Sequence, residues 1–155
     1  MKTIRVKEAY QLYESASISV PEDATLESLV TTLARRPGVR GIFLIDSGRR
    51  VAGTITRSDL LKWARYRFWG EEGMKMIYLR EIYQYIGATT AKDLAQGDRR
   101  SLGVKEDDTL YTALDRMISF GEDIIPVVDG KGRVLGDLTL SEVLMKAIEV
   151  ERQSK

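Results

Sequence analysis

Two short motifs in this sequence place a hydroxyl side chain three residues before a carboxylate, directly after an apolar run. They are Thr56-x-x-Asp59 and Thr139-x-x-Glu142, and Ser58 and Ser141 add a second hydroxyl to each. A carboxylate can accept hydrogen bonds from both hydroxyls of a ribose diol, in the strong charge-assisted form. A hydroxyl at a helix start lies beside free backbone N–H groups, where a phosphate oxygen is also stabilised. The spacing is therefore suited to holding a ribose and its phosphate.

The same spacing also has a purely structural interpretation. A threonine followed three residues later by an acid forms a capping box, which satisfies the first N–H groups of a helix without any ligand. We favour the ligand interpretation for Thr56-x-x-Asp59. We favour capping for Thr139-x-x-Glu142, because the longer glutamate extends its carboxylate into the space that a ribose needs.

Composition argues against most enzymes. The 155 residues include no Cys and no His, which removes thiolate nucleophiles, the commonest general base and the commonest metal ligands. The sequence also has no Gly-x-x-x-x-Gly-Lys loop for nucleotide phosphates. We therefore predict no catalytic residues, no metal and no catalytic cofactor.

Charge and hydropathy limit the partners. The formal net charge of +1 gives no overall field that attracts nucleic acid. No apolar run reaches the roughly 18 residues that cross a bilayer, and the charged start lacks the apolar stretch of a signal peptide, so we expect a cytoplasmic protein without membrane contact. The absence of Asn and the dense charge of mixed sign are typical of a heat-adapted protein.

The chain contains the same unit twice. Val20–Leu26 returns as Val104–Leu110, and Gly53–Asp59 returns as Gly136–Glu142, with offsets of 84 and 83 residues. Each copy reads as strand, helix, strand, strand and helix, with a Gly-containing turn between the last two strands. A repeated unit that stacks on its copy creates a groove between the two, and neither half is expected to be stable alone. We therefore look for function where the repeats meet.

These features resemble a tandem pair of cystathionine-β-synthase (CBS) domains, the Bateman module. The resemblance rests on a glycine after a strand, an apolar pair, and Thr-x-x-Asp opening a helix, which occurs twice. It implies an α/β fold of two repeats related by a pseudo-twofold axis, with residues 1–61 as repeat 1, 62–88 as a helical insert and 89–155 as repeat 2. Repeat 2 departs from the pattern at Asp137, where an apolar residue is usual, and at Glu142.

The resemblance also implies two ligand sites, because in this family the adenine cage of one site comes from the other repeat. Arg40 stands where the family often has a phosphate contact, although a lone arginine near a turn is more often a solvated charge; Arg57 and Arg133 are assigned to the surface. The first predicted site comprises Thr56, Ser58, Asp59, Ser101, Leu102, Asp123, Ile124, Ile125 and Pro126. The second, weaker site comprises Ser17, Ile18, Arg40, Gly41, Ile42, Phe43, Thr139, Ser141 and Glu142.

The insert at 62–88 is not explained by the resemblance. Its first part, Lys62–Trp69, interleaves bases with aromatic residues, as single-strand nucleic-acid binders do. The same pattern suits a long helix that extends repeat 1, or a surface for dimerisation or a partner, which we favour because the insert carries an excess of only two positive charges. A lid over a substrate is a third interpretation.

Three functional hypotheses follow. The first is a regulatory module that binds AMP, ADP, ATP or S-adenosylmethionine between the repeats and relays the change to an unidentified regulated protein. The second is an interaction scaffold with vestigial pockets, or an adapter that contacts nucleic acid through the insert. The third, an enzyme, is disfavoured by composition. In either of the first two, the resemblance implies a homodimer formed through the helices.

Overall fold

Each repeat is built around its own three-stranded sheet. The computed structural model describes residues 3–10, 15–73, 85, 87–95 and 100–154. Sheet 1 has the order β1-β2-β3, and sheet 2 has the order β4-β5-β6. In both sheets the first pair of strands is parallel and the second is antiparallel. The strands are β1 (Ser17–Pro21), β2 (Gly41–Ile45), β3 (Val51–Ile55), β4 (Val104–Lys105), β5 (Ile124–Val128) and β6 (Val134–Thr139).

The helices repeat in the same way. Thr25 and Thr109 cap the two crossover helices, each accepting at 3.1 Å from the backbone N–H three residues on. Crossover helices are what a parallel strand pair requires, since its strands run in one direction. The helices are α1 (Leu26–Arg35), α2 (Arg57–Gly73), α3 (Ala91–Leu94), α4 (Leu110–Phe120) and α5 (Leu140–Gln153), with 3₁₀ turns at Val6–Glu8 and Arg100–Leu102. The predicted two-repeat α/β architecture is confirmed.

The segment that leads into repeat 1 packs on repeat 2. Ile4, Val6 and Ala9 are buried in the core that sheet 2 forms with α4 and α5. The backbone follows the same path, because Val6 N–H donates to the carbonyl of Asp108 at 2.8 Å and Leu110 N–H donates to the carbonyl of Ile4 at 2.9 Å. The core of repeat 2 is therefore completed by the first residues of the chain.

The segment that leads into repeat 2 packs on repeat 1 in turn. Ala91 and Leu94 belong to the core of sheet 1, and Ala91 N–H donates to the carbonyl of Ala24 at 2.8 Å. Lys92 N–H donates to the carbonyl of Glu22 at 2.9 Å. The repeats have exchanged their lead-in segments. The division at 61/62 and 88/89 stays a prediction about the sequence, but in space residues 3–10 pack with the second repeat.

The hairpin tips provide another contact between the repeats. Arg50 and Arg133 form an antiparallel bridge, and Val51 N–H donates to the carbonyl of Gly132 at 3.2 Å. Arg49 and Gly132 occupy equivalent positions in the two turns, and both have left-handed backbone angles, with φ of 65° and 82°. The predicted turns are confirmed, and they also join the two sheets.

Among the described residues, no helix combines the length and apolar character needed to cross a membrane.

Candidate functional site

A cleft of about 230 Å³ lies between the two repeats. One wall comes from the start of β2, a second from the end of β3 and the start of α2, and a third from the residues that enter β5. The lining residues are Arg40, Gly41, Ile42, Phe43, Thr54, Ile55, Thr56, Arg57, Glu122, Asp123 and Ile124. The volume lies below the range of roughly 300–1,000 Å³ of pockets for drug-sized ligands. The cleft is thus suited to one small group, with the rest of a ligand at its open edge.

Alternation along the strands decides which side chains reach the space between the sheets. One face of sheet 1 is apolar and packs on α1 and α3. The opposite face carries Gly41, Phe43 and Thr54, and it is turned towards sheet 2. A Cβ on Gly41 would lie 3.1 Å from Cδ1 of Ile124. Glycine at this position therefore permits the close approach of the two sheets beside the cleft.

The Thr56 and Asp59 side chains are bonded to each other at the start of α2. Asp59 Oδ2 accepts from Thr56 N–H at 2.8 Å and from the Thr56 hydroxyl at 2.9 Å, while Asp59 N–H donates to Thr56 Oγ1 at 3.1 Å. Asp59 is 1% exposed and is not among the residues that line the cleft, whereas Thr56 lines it. The structure thus shows a capping arrangement with its threonine at the cleft and its carboxylate behind.

The second motif has the same geometry. Glu142 Oε1 accepts from Thr139 N–H at 3.0 Å and from its hydroxyl at 3.1 Å, and Glu142 N–H donates back to Thr139 Oγ1 at 3.2 Å. Both residues are buried and neither lines the cleft. The longer glutamate is accommodated as a capping residue, as the structural interpretation predicted for this motif.

An ion pair crosses the cleft from one repeat to the other. Arg40 Nη2 lies 2.7 Å from Asp123 Oδ2, and both side chains are substantially exposed, at 42% and 57%. The two residues stand at equivalent positions directly before β2 and β5. With Arg57 and Glu122, they give the cleft two cations and two anions. An anionic ligand would have to compete with Asp123 for Arg40.

Polar side chains on the facing surfaces of the two sheets are partnered unequally. Asp137 of β6 accepts hydrogen bonds of 2.5 Å from the hydroxyls of Ser15 and Ser17, which lie in repeat 1. Thr54 of β3 lines the cleft, and its buried Oγ1 has no hydrogen-bond partner within the described parts of the chain. The two sides of the interface are therefore not chemically equivalent.

The structure regroups the predicted site residues. Thr56, Asp123 and Ile124 of the first predicted site line the cleft together with Arg40–Phe43, which had been assigned to the second site. Leu102 and Ile125 lie instead in the core of repeat 2, and Ile18 lies in the core of repeat 1, because strand alternation and the 3₁₀ turn direct them inward. Strand β4 begins at Val104, after this 3₁₀ turn.

The remaining predicted residues lie outside the cleft. Ser58, Ser101 and Ser141 are exposed, and Pro126 is buried opposite Asp137 in the β5–β6 pair. Ser17 is buried and bonded to Asp137. None of these four serines, nor Pro126, lines the cleft.

Sequence reasoning missed Thr54, Ile55, Arg57 and Glu122 as cleft residues. Arg57 had been assigned to the surface, and it is indeed exposed while still lining the cleft edge. Thr54 could have been found from its alignment with Asp137, since each is a polar residue between a glycine and an apolar residue of a repeated strand. The signal was a polar residue on the inner face of a repeated strand.

The first part of the insert continues helix α2, as one of its interpretations predicted. Trp63 and Tyr66 pack against the core of repeat 1, whereas Phe68 and Trp69 are about two-thirds exposed. Arg67 lies 5.9 Å from the centroid of the Phe68 ring. The helical pattern predicted from Met74 to Ile86 lies outside the described residues, except for Tyr85, which is buried in the core of repeat 1.

Within the described ranges, no group of three acidic, His or Cys side chains could hold a metal ion.

Comparison with known proteins identifies both repeats. Residues 9–66 and 85–149 match the family model described as the CBS domain. Protein SDS23 from Phaeosphaeria nodorum is 27% identical over 127 residues, which is 81% of this chain and 22% of that protein. Protein sds23 from Neosartorya fischeri is 28% identical over 144 residues, 90% of this chain and 24% of that protein. The chain thus spans less than a quarter of the length of these curated relatives.

Solved structures share the paired fold. A CBS domain-containing protein from Thermotoga maritima is 27% identical with a TM-score of 0.70, over 94% of this chain and 95% of that one. CBSX2, solved in complex with AMP, has a TM-score of 0.63 at 19% identity, over 96% and 98% of the two chains. The CBS domain pair of MJ0100, solved with 5′-methylthioadenosine and S-adenosyl-L-methionine, has a TM-score of 0.62 at 15% identity, over 96% and 98%. At these lower identities the likeness is one of fold.

Proposed function

This chain belongs to the CBS domain family, and from that premise we propose that it is a regulatory module that binds an adenosyl ligand between its two repeats. The observation that carries the proposal is the cleft, because both repeats contribute to it and because Thr56 at a helix start and a cation, Arg40, both line it. The AMP complex of CBSX2 and the S-adenosylmethionine complex of MJ0100 support the ligand class. Which of AMP, ADP, ATP or S-adenosylmethionine is preferred is part of the proposal to be tested.

The ligand would be held by groups from several elements. Apolar side chains of Phe43 and Ile124 provide surface for the nucleobase. Thr56 and the first N–H groups of α2 suit ribose or phosphate oxygens, and Asp59 lies one hydrogen bond behind Thr56. Arg40 and Arg57 are the cations available to a phosphate. No residue of this arrangement is proposed to act as an acid, base or nucleophile.

Binding would change the relation between the repeats. Because the cleft is lined by both, a ligand that contacts both favours one relative arrangement, and a regulated protein that senses that arrangement would respond. We also propose that two copies of the module pair through helices α4 and α5. Large apolar side chains exposed on these helices support the dimer; they are Tyr111, Ile118, Leu144, Met145 and Ile148.

The first test is a calorimetric and thermal-unfolding screen against AMP, ADP, ATP, S-adenosylmethionine and GTP. A ligand at 100 times its dissociation constant should stabilise the protein by about 2.7 kcal/mol. For a chain of this length, that corresponds to an increase in Tm of roughly 5–11 °C. We expect an increase with an adenosyl ligand and none with GTP.

Asp59→Ala and Glu142→Ala form a matched pair for this screen, since each removes the carboxylate of one capping box. Each should lower stability by about 0.5–2 kcal/mol. Only Asp59→Ala should also abolish or greatly weaken ligand binding. Equal affinities in the two variants would restrict Asp59 to capping, and the absence of heat with every ligand would favour the interaction scaffold, for which the closed Asp137 side of the interface is the supporting observation.

A further inference from the structure

The Thr54 hydroxyl is buried and has no hydrogen-bond partner among the described residues. Thr54 is 6% exposed, and its Oγ1 lacks a partner within the described residues, although it lines the cleft. A buried hydroxyl without a hydrogen bond is costly, and most such groups in native proteins are satisfied by protein, water or ligand. Thr54 lies directly opposite Phe43 in the β2–β3 pair, so the hydroxyl stands beside an aromatic wall.

At the equivalent position in repeat 2, the buried polar group is hydrogen-bonded. Asp137 lies 83 residues after Thr54, and it is opposite Pro126 in the β5–β6 pair as Thr54 is opposite Phe43. Its carboxylate is engaged by the hydroxyls of Ser15 and Ser17, both at 2.5 Å. These hydrogen bonds join β6 to Ser17 at the start of β1 and to Ser15 just before it. The equivalent polar group on the pseudo-symmetric side of the interface is thus satisfied by the protein's own side chains.

We propose that Thr54 is a ligand-contacting residue of the cleft, and that the Asp137 cluster closes the equivalent site, so that each chain binds one adenosyl ligand. This inference rests on the proposed function. A hydroxyl can donate to one atom and accept from another. It therefore suits the edge of an adenine, which presents a ring nitrogen beside an amino group, or a ribose hydroxyl. On the pseudo-symmetric side, the Asp137 carboxylate and the Ser17 hydroxyl are hydrogen-bonded to each other. The polar groups that a ligand would need there are therefore already occupied.

The test is isothermal titration of the full chain with AMP, or with S-adenosylmethionine if AMP gives no heat, in the wild type, Thr54→Val and Thr54→Ser. The wild type should bind one ligand per chain. Thr54→Val keeps the branched shape and removes the hydroxyl, so it should weaken binding by roughly 3- to 10-fold, the value of one hydrogen bond. Thr54→Ser restores the hydroxyl and should bind within about 2-fold of the wild type.

Thermal unfolding of the free protein supplies a second readout. Because Thr54→Val removes a buried polar atom without a partner, its Tm without ligand should equal or exceed that of the wild type. Weaker binding by a variant that is at least as stable separates a ligand contact from damage to the fold. Wild-type affinity in Thr54→Val, or two ligands per wild-type chain, would overturn the inference while leaving the proposed function intact. Failure of the wild type to bind either ligand would overturn both.

Discussion

Two carboxylates near the protein surface show how single residues can be stabilised for different reasons. Backbone N–H groups of Thr89 and Thr90 donate to Asp93 Oδ2 at 3.0 and 2.9 Å, and they lower the pKa of Asp93. Lys7 Nζ lies 3.0 Å from Asp107 Oδ1, and its hydrogen bond and charge lower the pKa of Asp107. The first cause is local geometry, whereas the second is an ion pair with a solvated side chain.

High salt should change the pKa values of the two carboxylates by different amounts. In about 1 M NaCl, where the Debye length is ~3 Å, the pKa of Asp107 should rise towards its usual range while that of Asp93 stays low. A lowered carboxyl pKa contributes stability at pH values above the pKa of the unfolded chain, and this stability is lost as pH falls through the folded value. Carboxyl resonances followed by NMR through an acid titration measure both. Equal shifts of the two pKa values on addition of salt would contradict the assignment of one to backbone hydrogen bonds and the other to an ion pair.

Residue roles in the site were only partly predictable from the sequence. The Thr-x-x-acid spacing indicated a helix start in both repeats, and the capping hydrogen bonds are present in both. This spacing could not decide whether Asp59 also binds a ligand, because helix capping and ligand binding would use the same carboxylate oxygens. Thr54 was missed because nothing in the local sequence shows that its hydroxyl lacks a partner; that depends on residues of the other sheet.

Elements were predictable where the signal is local. The helix at Leu26–Arg35 follows from its N-cap and apolar spacing, and the strands at Gly41–Ile45 and Val51–Ile55 follow from β-rich runs around a turn. The exchange of lead-in segments was not predictable, because residues 3–10 contact repeat 2 across about 100 positions of sequence. Apolar residues there indicate burial but not the surface that buries them.

The paired helices α4 and α5 carry the apolar surface expected of a dimer. Ile118 is 79% exposed on α4, and Leu144 is 50% exposed on α5. Exposed apolar side chains on neighbouring helices are typical of interaction sites. If this surface joins two copies, Ile118→Lys should convert a dimer to a monomer with little change in the Tm of the monomer, as measured by sedimentation velocity.

Leu135→Lys is the matched control for the helix surface. Leu135 is 44% exposed, but it lies on strand β6 rather than on a helix. The control variant should remain dimeric. A wild type that sediments as a monomer, or a dimer that survives Ile118→Lys, would rule out these helices as the dimer surface.

At the scale of the whole molecule, the Arg40–Asp123 ion pair links ligand binding to the contact between the repeats. Exposed pairs of this kind contribute roughly 0.2–1 kcal/mol, so a phosphate can displace Asp123 at little cost. Asp123→Asn removes the competing charge. It should tighten AMP binding by roughly 2- to 5-fold while leaving adenosine binding unchanged, because adenosine has no phosphate.

Calorimetry with AMP and with adenosine measures the ratio of the two affinities. Asp107→Asn is the matched control, since Asp107 forms an exposed ion pair with Lys7 and is not among the cleft-lining residues. The control should leave both affinities unchanged. If the ratio of AMP to adenosine affinity is the same in Asp123→Asn and in the wild type, then Arg40 does not contact the phosphate.

The exchanged lead-in segments have a consequence for any protein that carries a single repeat of this kind. A protein with one repeat could not have covered its own core with its own first residues, since those residues reach only the neighbouring repeat. Two such chains would have needed to swap arms, as in domain-swapped dimers. Fusion of such a dimer into one chain would give the connectivity seen here. Within one chain the two halves need not stay identical, and the equivalent positions Thr54 and Asp137 carry different side chains.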